Sequence, residues 1–156
     1  TGHLGGTLEP DGGGRHLHFE PRLRQASALK TLCGDVLHAM KCTDPGFVDF
    51  GEAYFSLIDI DAIKAWKRHL RMTLNIMVPL GAVQFVFINN QGVMREEVIG
   101  LDRYIRLTIP PGIWFGFRGL VAPYSLLMNI ADIPHDPAEI ERKELGAFKF
   151  QWEPKR

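Results

Sequence analysis

The alternation of short apolar runs with turn-forming residues predicts that this chain is built mainly from β-strands. The apolar runs have the length of strands and are rich in β-branched and aromatic side chains, and Gly, Pro, Asn and Asp separate them. The predicted strands cover residues 52–60, 73–79, 82–88, 93–98, 104–109 and 125–131. Many short strands with little helix are typical of an all-β sandwich or barrel.

The residues between these runs predict how the strands are connected and where they end. Leu80-Gly81 predicts a tight hairpin between the strands on either side, since Gly permits the positive φ that such turns need. Pro110-Pro111-Gly112 should end the strand before it, because proline cannot donate to a ladder. Asp136 can cap a short helix or turn that has Pro137 at its first position.

The segments outside the strand-rich region are predicted as follows. Residues 1–14 hold six of the 16 glycines, which favours a flexible tail, and residues 15–156 are expected to form one domain. Residues 26–30 favour a helix. Residues 34–41 fit either a helix capped by Asp35 or an extended segment. At the other end, residues 148–152 fit a last strand or a docking tail.

One predicted strand, residues 52–60, carries apolar side chains on both faces. Phe55, Leu57 and Ile58 do not alternate cleanly with polar residues, so one face cannot account for all of them. Burial of both faces would follow if this strand lay in an interface between two copies of the chain. The pattern therefore predicts a homodimer.

Composition narrows the classes of partner. The formal net charge is zero at pH 7, so nothing favours nucleic acid or an anionic membrane surface. No apolar run approaches the roughly 18–20 residues that a membrane helix needs. The two cysteines, Cys33 and Cys42, lack the spacing of metal ligands, and reduced thiols in a cytoplasmic protein are expected.

A series of motifs, in a fixed order, resembles a known family. The motifs are Lys64-x-Trp66-x-x-His69, Met72-Thr73-Leu74-Asn75, Val78-Pro79-x-Gly81, Leu107-Thr108-Ile109-Pro110-Pro111-Gly112-x-Trp114-Phe115-Gly116-Phe117 and Asn129-Ile130-Ala131-Asp132-Ile133-Pro134-His135-Asp136-Pro137. Over residues 34–152 the chain resembles the dTDP-4-dehydrorhamnose 3,5-epimerase family of RmlC-like cupins, and most closely its divergent epimerase-like branch.

The resemblance implies a fold and an activity. It implies an all-β, cupin-type jelly-roll barrel with short peripheral helices that forms a homodimer. It also implies a sugar-nucleotide epimerase or isomerase that acts on a dTDP- or other NDP-linked 4-keto-6-deoxyhexose in surface polysaccharide biosynthesis. Such an enzyme removes a proton alpha to the ketone and needs neither metal nor cofactor, because the ketone itself acidifies that proton.

The catalytic base is expected at His69 or Lys67. Aligned without gaps, the family position for the base carries Lys67, whereas His69 matches the second histidine of some divergent members. A lysine acts as a base only when burial or neighbouring cations depress its pKa, while an unperturbed histidine already titrates near pH 6.5. The alternative is a surface lysine and a histidine that is satisfied within the barrel.

The family also uses a tyrosine that returns a proton to the opposite face, and the matching segment here has none. Asp132 and His135 occupy that segment, and either His135 or Tyr104 would have to replace the tyrosine. A missing acid would limit the chemistry to one carbon. Asp132 also fits an orienter of a histidine or a turn cap, and His135 also fits a structural loop residue.

Several residues are candidates for binding a nucleotide sugar. Trp66 and Trp114 suit stacking on a base or pyranose, with core packing as the alternative. Lys64 stands where the family places an arginine that binds phosphate. The remaining candidates are Arg71, Asn75, Arg118 and Asn129.

Two rival functions remain open at this stage. The substituted base position and missing tyrosine would suit a catalytically inactive cupin-fold protein that binds nucleotide sugars. A metal-dependent cupin is the other rival, but the motif around His69 offers a single ligand, and Phe115 stands where the family usually has histidine. His16-x-His18 has spacing that a metal could use, near the terminus.

Overall fold

The computed structural model of this protein describes residues 22–25, 28–31 and 34–152. The predicted tail, residues 1–14, lies outside these ranges, as do Cys33 and the His16-x-His18 pair. Strands dominate the described chain, so the predicted all-β class is confirmed. The helices described are two 3-10 turns of three residues, and neither could cross a membrane.

Twelve strands follow one another in the described chain. They are β1 (Arg22–Gln25), β2 (Ala28–Thr31), β3 (Gly34–Leu37), β4 (Glu52–Asp59), β5 (Ile63–His69), β6 (Leu74–Leu80), β7 (Ala82–Ile88), β8 (Met94–Gly100), β9 (Ile105–Ile109), β10 (Trp114–Gly119), β11 (Tyr124–Ala131) and β12 (Ile140–Arg142). A 3-10 helix, Pro137–Glu139, precedes β12. As predicted, Asp136 caps it by accepting a hydrogen bond from the backbone N–H of Ala138 at 3.0 Å.

Ten of these strands form two five-stranded antiparallel sheets with a shared core. The first sheet has the order β1-β9-β6-β11-β4 and the second has the order β12-β5-β10-β7-β8, while β2 and β3 pair with each other. Both sheets contribute large side chains to the core, among them Leu74, Ile76, Leu107 and Leu127 from the first and Phe85, Phe87, Phe115 and Phe117 from the second. This arrangement is the predicted jelly-roll sandwich.

The hairpin predicted at Leu80-Gly81 is wrong, because β6 belongs to the first sheet and β7 to the second. Gly81, with φ of 80°, instead turns the chain from one sheet to the other. A Cβ on Gly81 would lie 2.3 Å from Oγ of Ser125. That hydroxyl accepts from the N–H of Ala82 at 3.1 Å and donates to its carbonyl at 3.0 Å. The corner therefore requires glycine for both its φ and its close packing.

The helix predicted over residues 26–30 is wrong where the structure describes that segment, since residues 28–31 form β2. Residues 28–31 and 34–37 pair as antiparallel strands, so the extended alternative for the segment that begins at Gly34 is the correct one. A helix this short gains few hydrogen bonds for the entropy lost in its first turn, whereas strand pairing satisfies the same backbone groups at once. Gly34 has φ of 133°, which a helix does not accommodate.

The outer face of the second sheet is covered by the carboxy-terminal segment. Residues 148–152 form no strand. Phe148, Phe150 and Trp152 pack on the outward side chains of Trp66 and Trp114. Of the two alternatives predicted for this segment, the docking tail is the one that the structure has.

Strand β4 forms an edge of the first sheet. Ile58 points into the core, whereas Phe55 and Leu57 point outwards and are 62% and 59% exposed. Apolar side chains therefore do occupy both faces of β4. Within one chain, none of the described residues covers Phe55 and Leu57.

Candidate active site

Strand β5 presents two lysines and a histidine to the space between the sheets. Phe115 of β10 pairs with Lys67, but Phe117 pairs with Lys64, so three steps along β5 match two along β10. This β-bulge keeps both lysines on the face of the core phenylalanines in spite of their odd spacing. His69 lies two residues beyond Lys67 and shares that face.

The imidazole of His69 is buried against the core. The side chain stacks on Phe115, with ring centroids 6.3 Å apart and an angle of 21° between the planes. Nδ1 contacts the carboxylate of Glu139. Nε2 is buried as well, but it has no hydrogen-bond partner among the residues that the structure describes. A buried nitrogen left without a partner is costly, so Nε2 marks the point where a ligand would complete the site.

Glu139 fixes both the histidine and the turn that follows it. Its Oε1 contacts Nδ1 of His69. Its Oε2 accepts hydrogen bonds from the backbone N–H groups of Leu70, Arg71 and Met72, each at 3.2 Å. The carboxylate is only 2% exposed. Every contact of this buried acid therefore holds the end of β5 in place.

The protonation states of this pair follow from their surroundings. Burial lowers the pKa of His69 below its ordinary value, and the hydrogen bond to Glu139 only partly opposes this. Burial would raise the pKa of Glu139, but the hydrogen bonds from His69 and from the amides of Arg71 and Met72 lower that pKa overall. Because an ionised carboxylate only accepts, Nδ1 carries the proton. Nε2 is then an unprotonated, basic nitrogen.

Positive charge gathers beside this base. Lys67 pairs in register with Arg142 of β12 and shares the inner face with Lys64. Burial, followed by the charges of Arg142 and Lys64, lowers the pKa of Lys67, and Glu139 partly counteracts them. The ammonium group lies 5.4 Å from the centroid of the Phe115 ring. The base and the cation therefore border the same aromatic side chain.

The first sheet contributes a polar pair to the same side of the sandwich. Asn129 of β11 alternates with the core residues Leu127 and Ala131 and so points inwards. Its Nδ2 donates to Oη of Tyr54 at 3.0 Å, and its buried Oδ1 has no partner within the described chain. Tyr54 lies on β4, which residues 60–62 connect directly to β5. These groups and those of β5 therefore lie on the inner faces of the two sheets, on either side of the opening between them.

The two tryptophans predicted to stack on a ligand lie on the opposite face of the second sheet. Trp66 is 1% exposed, packs on Phe148 and Trp152, and donates from Nε1 to the carbonyl of Leu145 at 3.0 Å. Trp114 is buried in the same cluster. This packing argues against the stacking role and favours the alternative, since Trp66 is adjacent to the inward-facing Lys67 and strand alternation therefore places it on the outer face.

Two other candidates serve the outer face of the first sheet. Asn75 accepts from Oγ1 of Thr108 at 2.7 Å and donates to the carbonyl of Gly46 at 3.0 Å, so its polar atoms are occupied. Tyr104 donates to the carbonyl of His38 at 3.0 Å, and burial raises its pKa. Both hold loop segments against the sheet, and neither is brought to the base.

The remaining candidates lie in turns or on the outside. Asp132 accepts from the N–H of Thr73 at 2.7 Å, which is the turn-cap alternative. Arg71 pairs with Asp136 at the surface, and Arg118 pairs with Asp61 on the outer side of β10. His135 is exposed in the loop after β11. Of the predicted site residues, His69, Lys67 and Lys64 share the inner face of β5, and Asn129 lies on the inner face of the first sheet.

Sequence reasoning missed Glu139, Tyr54 and Arg142. Glu139 ends the predicted Asp136-Pro137 turn, but its partner lies 70 positions earlier, and no local spacing reveals such a pair. Arg142 is aligned with Lys67 only through pairing of β12 with β5. Tyr54 lies four residues before Ile58 on β4, so strand alternation places both on the same, inner face. That spacing is the signal in the sequence that could have identified Tyr54.

A metal centre finds no support in the part of the chain that the structure describes. Within it, no three side chains of His, Cys, Asp or Glu lie together as a ligand set. His69 is held by Glu139, and Phe115 faces it instead of a second histidine.

Comparison with solved structures agrees with the fold. No protein-family model and no curated protein sequence matches the chain. A dTDP sugar isomerase from Desulfovibrio desulfuricans G20 is 35% identical, with a TM-score of 0.77 over 85% of this chain and 88% of that one.

Two more distant structures share the fold. QdtA, a sugar 3,4-ketoisomerase from Thermoanaerobacterium thermosaccharolyticum in complex with TDP, is 16% identical, with a TM-score of 0.71 over 81% of this chain and 90% of that one. A dTDP-4-dehydrorhamnose 3,5-epimerase from Sulfolobus tokodaii is 15% identical, with a TM-score of 0.69 over 79% and 76%. With a relative at 35% identity over most of both chains, the protein belongs to the family of RmlC-like dTDP-sugar isomerases and epimerases.

Proposed function

We propose that the protein is an isomerase or epimerase of a nucleotide-linked 4-keto-6-deoxyhexose, and that His69 is its base. The observation that carries the proposal is the buried His69–Glu139 pair, which leaves an unprotonated Nε2 facing the interior without a partner in the described chain. A neutral imidazole oriented by a carboxylate is a general base ready at neutral pH. Membership of a family of dTDP-sugar isomerases supports the substrate class.

The proposed chemistry begins with enolisation. Nε2 of His69 takes the proton from a carbon next to the ketone, and the electron pair of that C–H bond forms a C=C bond as the carbonyl pair moves onto oxygen. If the proton returns to the former carbonyl carbon, the hydroxyl on the deprotonated carbon passes its proton to the enolate oxygen and becomes the new ketone. If the proton returns to the opposite face of the deprotonated carbon, the original ketone re-forms and that carbon is inverted. Both outcomes need the same first step and no cofactor. Their product would serve synthesis of surface polysaccharide.

The position of Tyr54 bears on which outcome follows. Its Oη accepts from Asn129, so its own proton remains available on the side of the cleft opposite β5. In this proposal Tyr54 takes the place of the family tyrosine that is missing near Asp132. A proton from Tyr54 would lead to epimerisation, and return from His69 alone would lead to movement of the ketone.

We also propose that the protein is a homodimer. Exposed apolar side chains cluster on and before β4, at Val48, Phe50, Phe55 and Leu57. An edge strand with uncovered apolar groups invites pairing with another chain. A second copy would cover this surface and would give the two-faced strand its second buried face.

Deuterium wash-in tests the proposed activity. The protein is incubated in D2O with dTDP-4-keto-6-deoxyglucose, and NMR follows the protons next to the ketone. The wild type should exchange one of them and His69→Asn should not, while His135→Asn, which alters an exposed histidine, should behave as the wild type does. If dTDP raises the melting temperature but no 4-keto sugar nucleotide exchanges, the protein is a binding protein instead.

A further inference from the structure

Asn129 carries a buried acceptor atom, Oδ1, that the described chain leaves without a partner. The same is true of Nε2 of His69, and the two atoms belong to the inner faces of opposite sheets. The other two such atoms among the described residues are Nε of Arg106 and Nε1 of Trp152, which are donors on the outer faces. Within the described ranges, each sheet therefore turns one unpartnered acceptor towards the interior.

The surroundings of Asn129 are apolar. Its side chain is in a residue that is only 1% exposed, and its inward neighbours Leu127 and Ala131 on β11 and Ile76 on β6 all belong to the core. The hydrogen bond described for this side chain runs from Nδ2 to Oη of Tyr54 at 3.0 Å, and it fixes the orientation of the amide. An amide oxygen held in such a place without a donor is costly, whereas an apolar side chain would fill it freely. The amide is therefore of use when a ligand brings a donor to Oδ1.

The chemistry of the proposed substrate limits which of its groups can satisfy Oδ1. The ketone and the ionised diphosphate only accept hydrogen bonds, so neither can pair with an amide oxygen. A 4-keto-6-deoxyhexose has free hydroxyls at C2 and C3, and both can donate. A sugar ring that reaches Nε2 of His69 lies between the two sheets, where the inner face of the first sheet bounds the same space.

We infer that Asn129 is a specificity-determining residue, whose Oδ1 accepts a hydrogen bond from the C2 or C3 hydroxyl of the sugar. This inference rests on the proposed function, because that function places the sugar between the sheets. A sugar without the hydroxyl would exclude water from Oδ1 and leave it unpaired in the complex. Sites that pair a buried polar group with a substrate hydroxyl reject analogues that lack this hydroxyl for that reason.

The test measures, by calorimetry, the Kd for dTDP-4-keto-6-deoxyglucose and for its two forms that lack the C2 or the C3 hydroxyl. Every protein in the test also carries His69→Asn, so that the sugar is not converted during the titration. With Asn129 present, the parent should bind more tightly than one of the two analogues by roughly 5–150-fold, which corresponds to about 1–3 kcal/mol. Asn129→Leu keeps the number of heavy atoms but has no acceptor, so it should bind the parent and that analogue equally. The Kd for dTDP, which lacks the sugar, should change little.

Tyr54→Phe is the matched control for Asn129→Leu. Both variants lose the hydrogen bond between Nδ2 and Oη, but Tyr54→Phe keeps Oδ1 of Asn129. It should therefore retain the preference for the parent sugar. If Asn129→Leu does not fold, Asn129→Val takes its place, because a β-branched residue suits a strand and is equally unable to accept.

Three results would overturn the inference. Equal affinity for the parent and both analogues, with Asn129 present, would mean that water satisfies Oδ1 in the complex. An undiminished preference in Asn129→Leu, or its loss in Tyr54→Phe, would place the hydroxyl on another group. Weaker binding of dTDP by Asn129→Leu, with the preference unchanged, would assign the donor to the nucleotide. Failure of the proposed function is seen separately, as absence of solvent exchange in the protein that retains His69, because the affinities are measured without turnover.

Discussion

The carboxylate of Glu139 holds the imidazole of His69 in the tautomer that leaves Nε2 without a proton. The two side chains lie at the same end of the β5–β12 pairing, where His69 pairs with the residue after Glu139, and both are almost fully buried. Since Glu139 also accepts from three successive backbone amides after β5, the orientation of the imidazole is tied to the backbone itself. The base is thus positioned by an acid that need not touch the substrate.

Replacing Glu139 by Gln should reverse this tautomer. If the amide oxygen keeps the backbone N–H bonds, the amide NH2 faces Nδ1 and donates to it, so the ring proton moves to Nε2. We expect kcat for solvent exchange to fall by roughly 10²–10⁴, the contribution of general base catalysis, with a small change in melting temperature. Glu144→Gln, whose side chain caps nothing, is the control. Unchanged exchange would mean that His69 is not the base.

Replacing Glu139 by Ala should affect the fold as well. The substitution leaves the N–H groups of Leu70, Arg71 and Met72 without their acceptor, and a buried unsatisfied donor costs about 1–3 kcal/mol. We therefore expect a large drop in the free energy of unfolding, measured by urea titration. A loss of activity at unchanged stability would contradict this structural role.

The stability of the protein should decline as pH falls from neutrality. The folded-state pKa of His69 lies below its ordinary 6.5, so the unfolded chain takes up the proton first and stability is lost below about that pH. Glu139 adds a second loss below its ordinary 4.5, because its folded-state pKa is also lowered. Urea titrations across this range should show both steps. His69→Gln should remove the first step, and a slope unchanged in that variant would assign it to another group.

The sequence predicts β4, β6, β7, β8, β9 and β11 because each is an apolar or alternating run, but the predicted strands do not include β5 and β10, where charged residues and glycine interrupt the pattern. It does not predict which sheet a strand joins, as the corner at Gly81 shows: a glycine with positive φ serves a hairpin and a change of sheet equally well. The same limit applies at the short segment after Gly34, where pairing with β2 overrides a weak local preference for helix.

The site was predictable only where its residues share a strand. His69 and Lys67 stand two positions apart, and their chemistry can be read directly from β5. Glu139 and Arg142 reach them through pairing of β12 with β5, which leaves no local trace in the sequence. Trp66 follows the ordinary alternation and faces outwards beside Lys67, where it packs in its own aromatic cluster, whereas the bulge brings Lys64 to the inner face.

Replacing Trp66 by Phe should therefore reduce stability without weakening nucleotide binding. The variant loses the hydrogen bond from Nε1 to the carbonyl of Leu145, worth about 0.5–1.5 kcal/mol, and some packing against Trp152. We expect a lower midpoint of urea unfolding and the wild-type Kd for dTDP by calorimetry. Weaker dTDP binding at unchanged stability would restore the stacking role.

The proposed dimer should separate when charge is placed on the outward face of β4. Leu57→Asp and Phe55→Asp introduce carboxylates where the second copy would pack, and burying them there is unfavourable. Light scattering at micromolar concentration should show a dimer for the wild type and a monomer for either variant. Val93→Asp, at an exposed position in the turn before β8, should remain a dimer. A monomeric wild type would end the proposal.

Lys64 should contribute to the affinity for the diphosphate rather than to the chemistry. It faces the opening from the start of β5, beyond Lys67, and is exposed there without a described counter-ion. A charge-assisted hydrogen bond to phosphate is worth about 1.5–3 kcal/mol, so Lys64→Ala should raise the Kd for dTDP by roughly 10–150-fold. Thymidine, which lacks the phosphates, should bind both forms equally. Equal dTDP affinity in the two forms would place the diphosphate site elsewhere.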